Sequence, residues 1–98
     1  MTGELHPSAK EELSEGASWY AERSALAAAR FLAAVESAMT SILADPLRCQ
    51  PAGDKIRVFR LKSFPYKIYF HFDAEEQHIK FLCVMHNKRR PDYWRSRK

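Results

Sequence analysis

The sequence predicts an α+β domain in which an N-terminal antiparallel helical hairpin packs on one face of a small, mostly antiparallel sheet. Three observations carry this. Apolar residues recur at helical spacing through the first half, and apolar and polar residues alternate through the second. Pro46, Pro51 and Gly53 mark the change between them. The 98 residues suit one domain, 1–98, with the hairpin at about 7–45, the sheet at about 55–87 and a basic C-terminal segment at 88–98.

The first helix is expected to start at Ser8, where Ser8-Ala9-Lys10-Glu11 has capping-box spacing behind Pro7. Ala9, Leu13, Ala17 and Tyr20 lie on one helical face, and Gly16 weakens the helix without breaking it. Ser24 can cap a second helix, with an apolar stripe of Ala28, Phe31, Leu32, Val35, Met39 and Ile42. Asp45-Pro46 ends it, since proline disfavours the helical conformation of the residue before it. So short a link between the two helices makes them pack antiparallel.

Pro46 to Asp54 reads as loop, followed by strands at Lys55 to Leu61, Tyr66 to Phe72 and His78 to His86. In the middle strand Tyr66, Ile68, Phe70 and Phe72 alternate with Lys67, Tyr69 and His71, giving one apolar and one mixed face. The last strand is apolar on both faces and is therefore expected to be central. Strict alternation puts His86 and Lys80 on the face opposite Ile79, Phe81, Cys83 and Met85. A short strand around Gly3 to Leu5 can pair beside it.

Composition excludes several classes. A hydrophobic fraction of 46% is too high for a disordered tail protein. Arg30 and Glu36 interrupt the Ala-rich stretch, so no membrane span and no membrane partner is expected. Met1 to Leu13 carries Glu4, Glu11 and Glu12 and lacks the apolar core of a secretory signal, which points to the cytoplasm. Cys49 and Cys83 make neither a disulfide framework nor a zinc-ligand spacing, and neither has a His or acid at nucleophile spacing. No metal and no cofactor is expected.

Charge is distributed unevenly within the formal +4. Before Pro46, Lys10, Arg23 and Arg30 face Glu4, Glu11, Glu12, Glu15, Glu22, Glu36 and Asp45. After His86, Lys88, Arg89, Arg90, Arg95, Arg97 and Lys98 face Asp92 alone. A field concentrated at one end favours a polyanion or an acidic protein partner. Tyr93 and Trp94 inside the basic run distinguish it from a solvated tail.

The candidate chemistry lies on the sheet and just after it. The imidazole of His86 is of the type suited to acid–base work, and nearby guanidinium groups can hold a phosphate bidentately. Together they suit metal-free RNA cleavage; alternatively His86 hydrogen-bonds the C-terminal segment and fixes it across the sheet. His71 and His78 are expected at the strand and turn surface, and His6, just before a helix, is expected to have no role. Arg60 and Lys62 can contact phosphates, with Tyr69 or Tyr93 stacking on a base. Alternatively Arg57, Arg60, Lys62 and Lys67 protect edge strands from pairing.

Two further groups of residues carry a resemblance. One is His6-Pro7 with Ala9, Glu12, Trp19-Tyr20 and Arg23. The other is Phe64-Pro65-Tyr66 followed by a strand ending in His86, with Arg89, Arg90, Pro91, Tyr93, Trp94 and Arg97. Over nearly the whole chain this resembles the RelE/ParE toxin superfamily. The resemblance implies the toxin half of a bacterial type II toxin–antitoxin pair, neutralised by a cognate antitoxin that wraps it with an extended segment and a helix. The basic sheet and tail are compatible with an acidic antitoxin segment. It also implies that operator DNA is engaged only through the antitoxin.

RelE-like members are ribosome-dependent mRNA endonucleases, whereas ParE-like members poison DNA gyrase without cleaving nucleic acid. Carried over to this chain, the nuclease alternative casts His86, Arg89 and Tyr93 as catalytic. Arg60, Lys62, Lys67, Arg90 and Trp94 form the nucleic-acid or target-binding set on either alternative. The long hairpin, the lack of a lysine-rich helix and loop set, and the lack of a strand carboxylate favour a ParE-like toxin over the endonuclease. An inactive relative or a small basic RNA-binding module is the third class.

Overall fold

The computed structural model describes Met1–Lys98. In chain order it comprises β1 (Thr2–Leu5), α1 (Pro7–Ala21), α2 (Ala25–Ala44), a 3-10 turn at Pro46–Arg48, β2 (Gln50–Gly53), β3 (Ile56–Arg60), β4 (Tyr66–Asp73) and β5 (His78–His86). A last 3-10 turn spans Arg95–Arg97. The sheet order is β1-β5-β4-β3-β2, with β1 parallel to β5 and every other pairing antiparallel. This is the expected α+β architecture, with β5 flanked on both sides and the short N-terminal strand beside it.

Three local expectations are corrected. α1 begins at Pro7, with His6 as its cap: His6 Nδ1 accepts from Ser8 N–H at 3.0 Å, so Ser8 does not cap. Proline at the first helical position has its φ preset and lacks an N–H that would need a partner. The segment read as loop holds β2, an edge strand that pairs with β3 through Gln50↔Val58 and Pro51↔Arg57. Its composition hid it, because proline and glycine are tolerated only at edges and bulges. Finally, α2 is long and apolar enough by length and composition to cross a membrane, contrary to the exclusion from Arg30 and Glu36. Here its Phe31, Val35, Ala38 and Ile42 are buried on the sheet, while Leu32, assigned to the same stripe, is exposed. The expected stop at Asp45-Pro46 holds, and Ser24 Oγ accepts from Ala27 N–H at 3.2 Å.

The main core joins those four α2 residues to Ile68, Phe70, Ile79, Phe81 and Val84. The other face of the sheet is covered too. Ile56, Leu82, Cys83 and Met85 pack there against Trp94, with Tyr69 and Tyr93 alongside. The basic C-terminal segment thus folds back as a second layer, held by Trp94, which is 1% exposed and stacked on Tyr69 at 4.3 Å.

A bulge in β5 positions the site. Tyr69 pairs with Cys83 and Phe70 with Phe81, which leaves Leu82 as an extra residue. Strict alternation fails there. Leu82, Cys83 and Met85 join the second core, while Val84 joins the first. His86, two residues on, is thereby turned to the helix side, where its ring meets Tyr66 edge-on at 5.2 Å. Its expected place opposite Phe81 is corrected accordingly.

Candidate functional site

β1 pairs with β5 only as far as Phe81, and the last bond is His6 N–H to Phe81 C=O. Beyond it, α1 takes the place of a strand at the β5 edge, and backbone groups there need side-chain partners. Glu12, 7% exposed on α1, fills this position. Its Oε1 accepts from Val84 N–H at 3.1 Å and from Arg97 Nη1 at 3.0 Å. Its Oε2 accepts from Arg89 Nη1 at 3.2 Å, and Arg97 also donates to Leu82 C=O at 3.0 Å. One carboxylate therefore ties both ends of the C-terminal segment to the open edge.

Tyr93 lies between these cations, with the Arg89 guanidinium 3.9 Å and that of Arg97 4.9 Å from its ring centre. Its Oη is buried and makes no hydrogen bond of good geometry, although the Glu12 carboxylate is near enough to oppose ionisation. Burial first, and Glu12 second, push the phenol far above the usual tyrosine range. A phenolate base at Tyr93 is therefore out of reach at neutral pH.

Next to this cluster a cavity of about 390 Å³ opens between α1 and the adjoining ends of β4 and β5, walled by Trp19, Tyr20, Tyr66, Val84, His86 and Arg89. His86 Nδ1 accepts from Lys88 N–H at 3.1 Å, and its carbonyl accepts from Arg89 N–H at 3.0 Å. The neutral ring then carries its proton on Nε2, the nitrogen left for a ligand. The hydrogen bonds of His86 thus lie within the turn that follows β5, and its ring also faces a cavity.

The sequence-derived candidates fall into separate places. His86 and Arg89 meet at the cavity, and Tyr93 lies behind Arg89. Arg60 and Lys67 are cross-strand neighbours on the other side of the sheet, and Arg60 Nη1 donates to Gln50 Oε1 at 2.9 Å. Lys62 lines a separate cleft of about 430 Å³ with Arg48, Arg60 and Asp45. Arg90 is exposed. Trp94, expected among target contacts, is a core residue in this conformation and presents no surface to a partner. Arg57, on the helix face, donates to Cys49 C=O at 2.7 Å and fixes the turn after α2.

Glu12 is the residue that sequence reasoning undervalued. One signal was available: it lies three positions after Ala9 and four before Gly16, on the core side of α1, where an isolated carboxylate demands partners. No group of three or more His, Cys, Asp or Glu side chains is arranged to hold a metal ion.

Comparison with known proteins gives one family. A model described as the ParE toxin of the type II toxin–antitoxin system parDE matches residues 4–91. No curated protein matches the chain.

Proposed function

Because the chain belongs to the ParE toxin family of type II toxin–antitoxin systems, we propose that it arrests growth by binding DNA gyrase, without cleaving RNA. Membership in the family implies a cognate antitoxin as partner. The observation that supports a non-nucleolytic toxin is the engagement of its candidate catalytic groups within the fold. Glu12 holds Arg89 and Arg97, and the Tyr93 phenol is enclosed and kept protonated. Metal-free cleavage of RNA needs an acid and a base that both reach one phosphate. Of the three candidates only His86 presents a ring nitrogen free of hydrogen bonds beside the cavity.

Exposed apolar side chains on the two helices favour a protein target. Trp19, Leu26 and Leu32 are 50%, 58% and 43% exposed. The Arg23 guanidinium lies 3.6 Å over Trp19 and so presents an aromatic–arginine pair of the kind that anchors interfaces. Arg60, Lys62, Lys67 and Arg90 supply further target contacts on this proposal. The antitoxin's acidic C-terminal segment neutralises the toxin by covering basic surface, in the cytoplasm where gyrase acts.

The test is inducible expression in a bacterial host with DNA and protein synthesis pulse-labelled separately, together with a supercoiling assay on purified gyrase. DNA synthesis is expected to stop first, with supercoiling inhibited. Protein synthesis stopping first, with mRNA cut within codons, would overturn the proposal in favour of the endonuclease. His86 beside Arg89 in the cavity is the observation that keeps that second reading.

A further inference from the structure

The two helices of the hairpin differ on their outer faces. α1 turns Lys10, Glu11, Ser14 and Ser18 to solvent, as a surface helix does. α2 turns out Leu26, Ala29, Ala33 and Ala44 instead, with Leu26 58% exposed. At 3.6 residues per turn Ala33 stands opposite the side that buries Phe31, Val35, Ala38 and Ile42, so the outer face is centred on it.

α2 carries two charged side chains, Arg30 and Glu36, three positions before and three positions after Ala33. Both are exposed, and neither forms an ion pair within the fold. They do not pair with each other, because helix neighbours lie three or four positions apart. Beside them Ala33, Glu36, Ser37 and Thr40 line a surface hollow of about 400 Å³. Residues at i, i+3, i+4 and i+7 are the set that receives one side chain from a facing helix. Three walls of this hollow are small and the fourth is a carboxylate, which suits a cation on an apolar stem.

We infer that the outer face of α2 joins two copies of the chain, their α2 helices antiparallel about a two-fold axis at Ala33. The symmetry selects the occupant. An antiparallel copy centred on Ala33 brings its Arg30 level with Glu36, into the hollow, and the reverse contact follows from the axis. In the same register Leu26 of each copy meets Ser37, Thr40, Ser41 and Ala44 of the other, a second set of four whose side chains are all exposed and small. Small side chains along the seam allow the helix axes to approach to about 8 Å. An acidic segment gains little here, since the one cation of the face is matched by one anion. A helix lying on a membrane surface carries several cations on its polar face, and α2 has one. The inference does not rest on the gyrase proposal. Trp19 lines the cavity beside β4 and β5 and takes no part in this face. Leu26 is common to both interfaces, so a target that uses it binds the monomer.

The test is sedimentation of the full-length toxin from about 1 to about 100 μM, with a monomer–dimer equilibrium expected inside that range. Arg30→Glu and Glu36→Arg are each expected to weaken the dimer at least about tenfold, because like charges then face one another across the axis. An equimolar mixture of these two variants is expected to restore association, since each supplies the charge that the other lacks. The doubly exchanged Arg30→Glu/Glu36→Arg chain should likewise dimerise as the parent does. Thermal melts check that the variants fold, and Lys10→Glu on α1 is the control that leaves association unchanged. A chain that stays monomeric throughout, a dimer indifferent to both substitutions, or a mixture no tighter than its components would overturn the inference. A monomeric chain whose Arg30→Glu variant loses affinity for gyrase or for the antitoxin would give the face to that partner and overturn it as well.

Discussion

Glu12 and Arg97 are 85 positions apart in sequence and 3.0 Å apart in the fold, and together they complete the open edge of β5. The carboxylate accepts the Val84 N–H and the guanidinium donates to the Leu82 carbonyl, which replaces the hydrogen bonds of a missing neighbouring strand. The pair thereby joins α1, β5 and the C-terminal segment at one point.

Removing the carboxylate should therefore be costly. Glu12→Gln leaves the largely buried Arg97 without its counter-charge, and breaking a buried pair in this way costs about 3–5 kcal/mol. A melting temperature lower by more than about 10 °C is expected, at roughly 4–8 °C per kcal/mol for a domain of this size. A thermal melt of the variant within a few degrees of the parent would show that the edge does not depend on this pair.

Gly16→Ala reverses the usual sign for a helix. Alanine gains up to ~1 kcal/mol in helix propensity. Here, however, a Cβ would stand 2.9 Å from two ring atoms of Phe31 and 3.2 Å from Tyr66 Oη. Phe31 is fully buried and cannot yield, so net destabilisation of about 1–3 kcal/mol is expected from overpacking, as read from urea unfolding.

Tyr93→Phe removes a buried hydroxyl that has no good partner, and the ring stays between the two guanidinium groups. Stability is expected to stay within about 1 kcal/mol of the parent or to rise. Toxicity on induction should be unchanged. Loss of toxicity with the fold intact would place the phenol in catalysis after all.

Trp94→Ala is expected to detach the C-terminal segment. The indole is fully enclosed and stacked on Tyr69, and truncating a buried tryptophan costs about 3–5 kcal/mol. Proteolysis should then clip the chain beyond His86 at concentrations of protease that leave the parent whole.

Alkaline pH should weaken the fold through Cys83. Burial pushes its thiol up to about 11 from an ordinary 9.0. The neutral thiol is favoured in the folded state, so this contribution is fully present below pH 9.0 and is lost as pH rises through about 11. The loss is of order 2–3 kcal/mol at 1.36 kcal/mol per pH unit. Denaturant titrations of parent and Cys83→Ala between those limits should show a steeper fall for the parent; parallel slopes would remove Cys83 as the cause.

The elements and their order follow from local signals. Helical spacing along Phe31, Val35 and Ile42, the serine cap at Ser24, the proline stop after Asp45 and the alternation from Tyr66 to Phe72 each depend on neighbours within a few residues. The main exception among the elements is β2, whose Gln50-Pro51-Ala52-Gly53 has no strand pattern of its own and is held only by pairing with β3.

The layout of the site was decided by contacts between residues far apart in the chain. Whether a β5 residue faces the helices depends on one unpaired residue, Leu82, and a bulge leaves no periodic trace in a strand that is apolar on both faces. The spacing of Glu12 from Ala9 and Gly16 places it on the core side of α1, but its partners on β5 and the C-terminal segment appear only in the fold. Trp94 looks like a surface aromatic in a basic tail until that tail folds over Tyr69. Periodicity reports which face of its own element a residue occupies. Only the tertiary structure decides what covers that face, because burial and charge pairing depend on groups that pack in space and not in sequence.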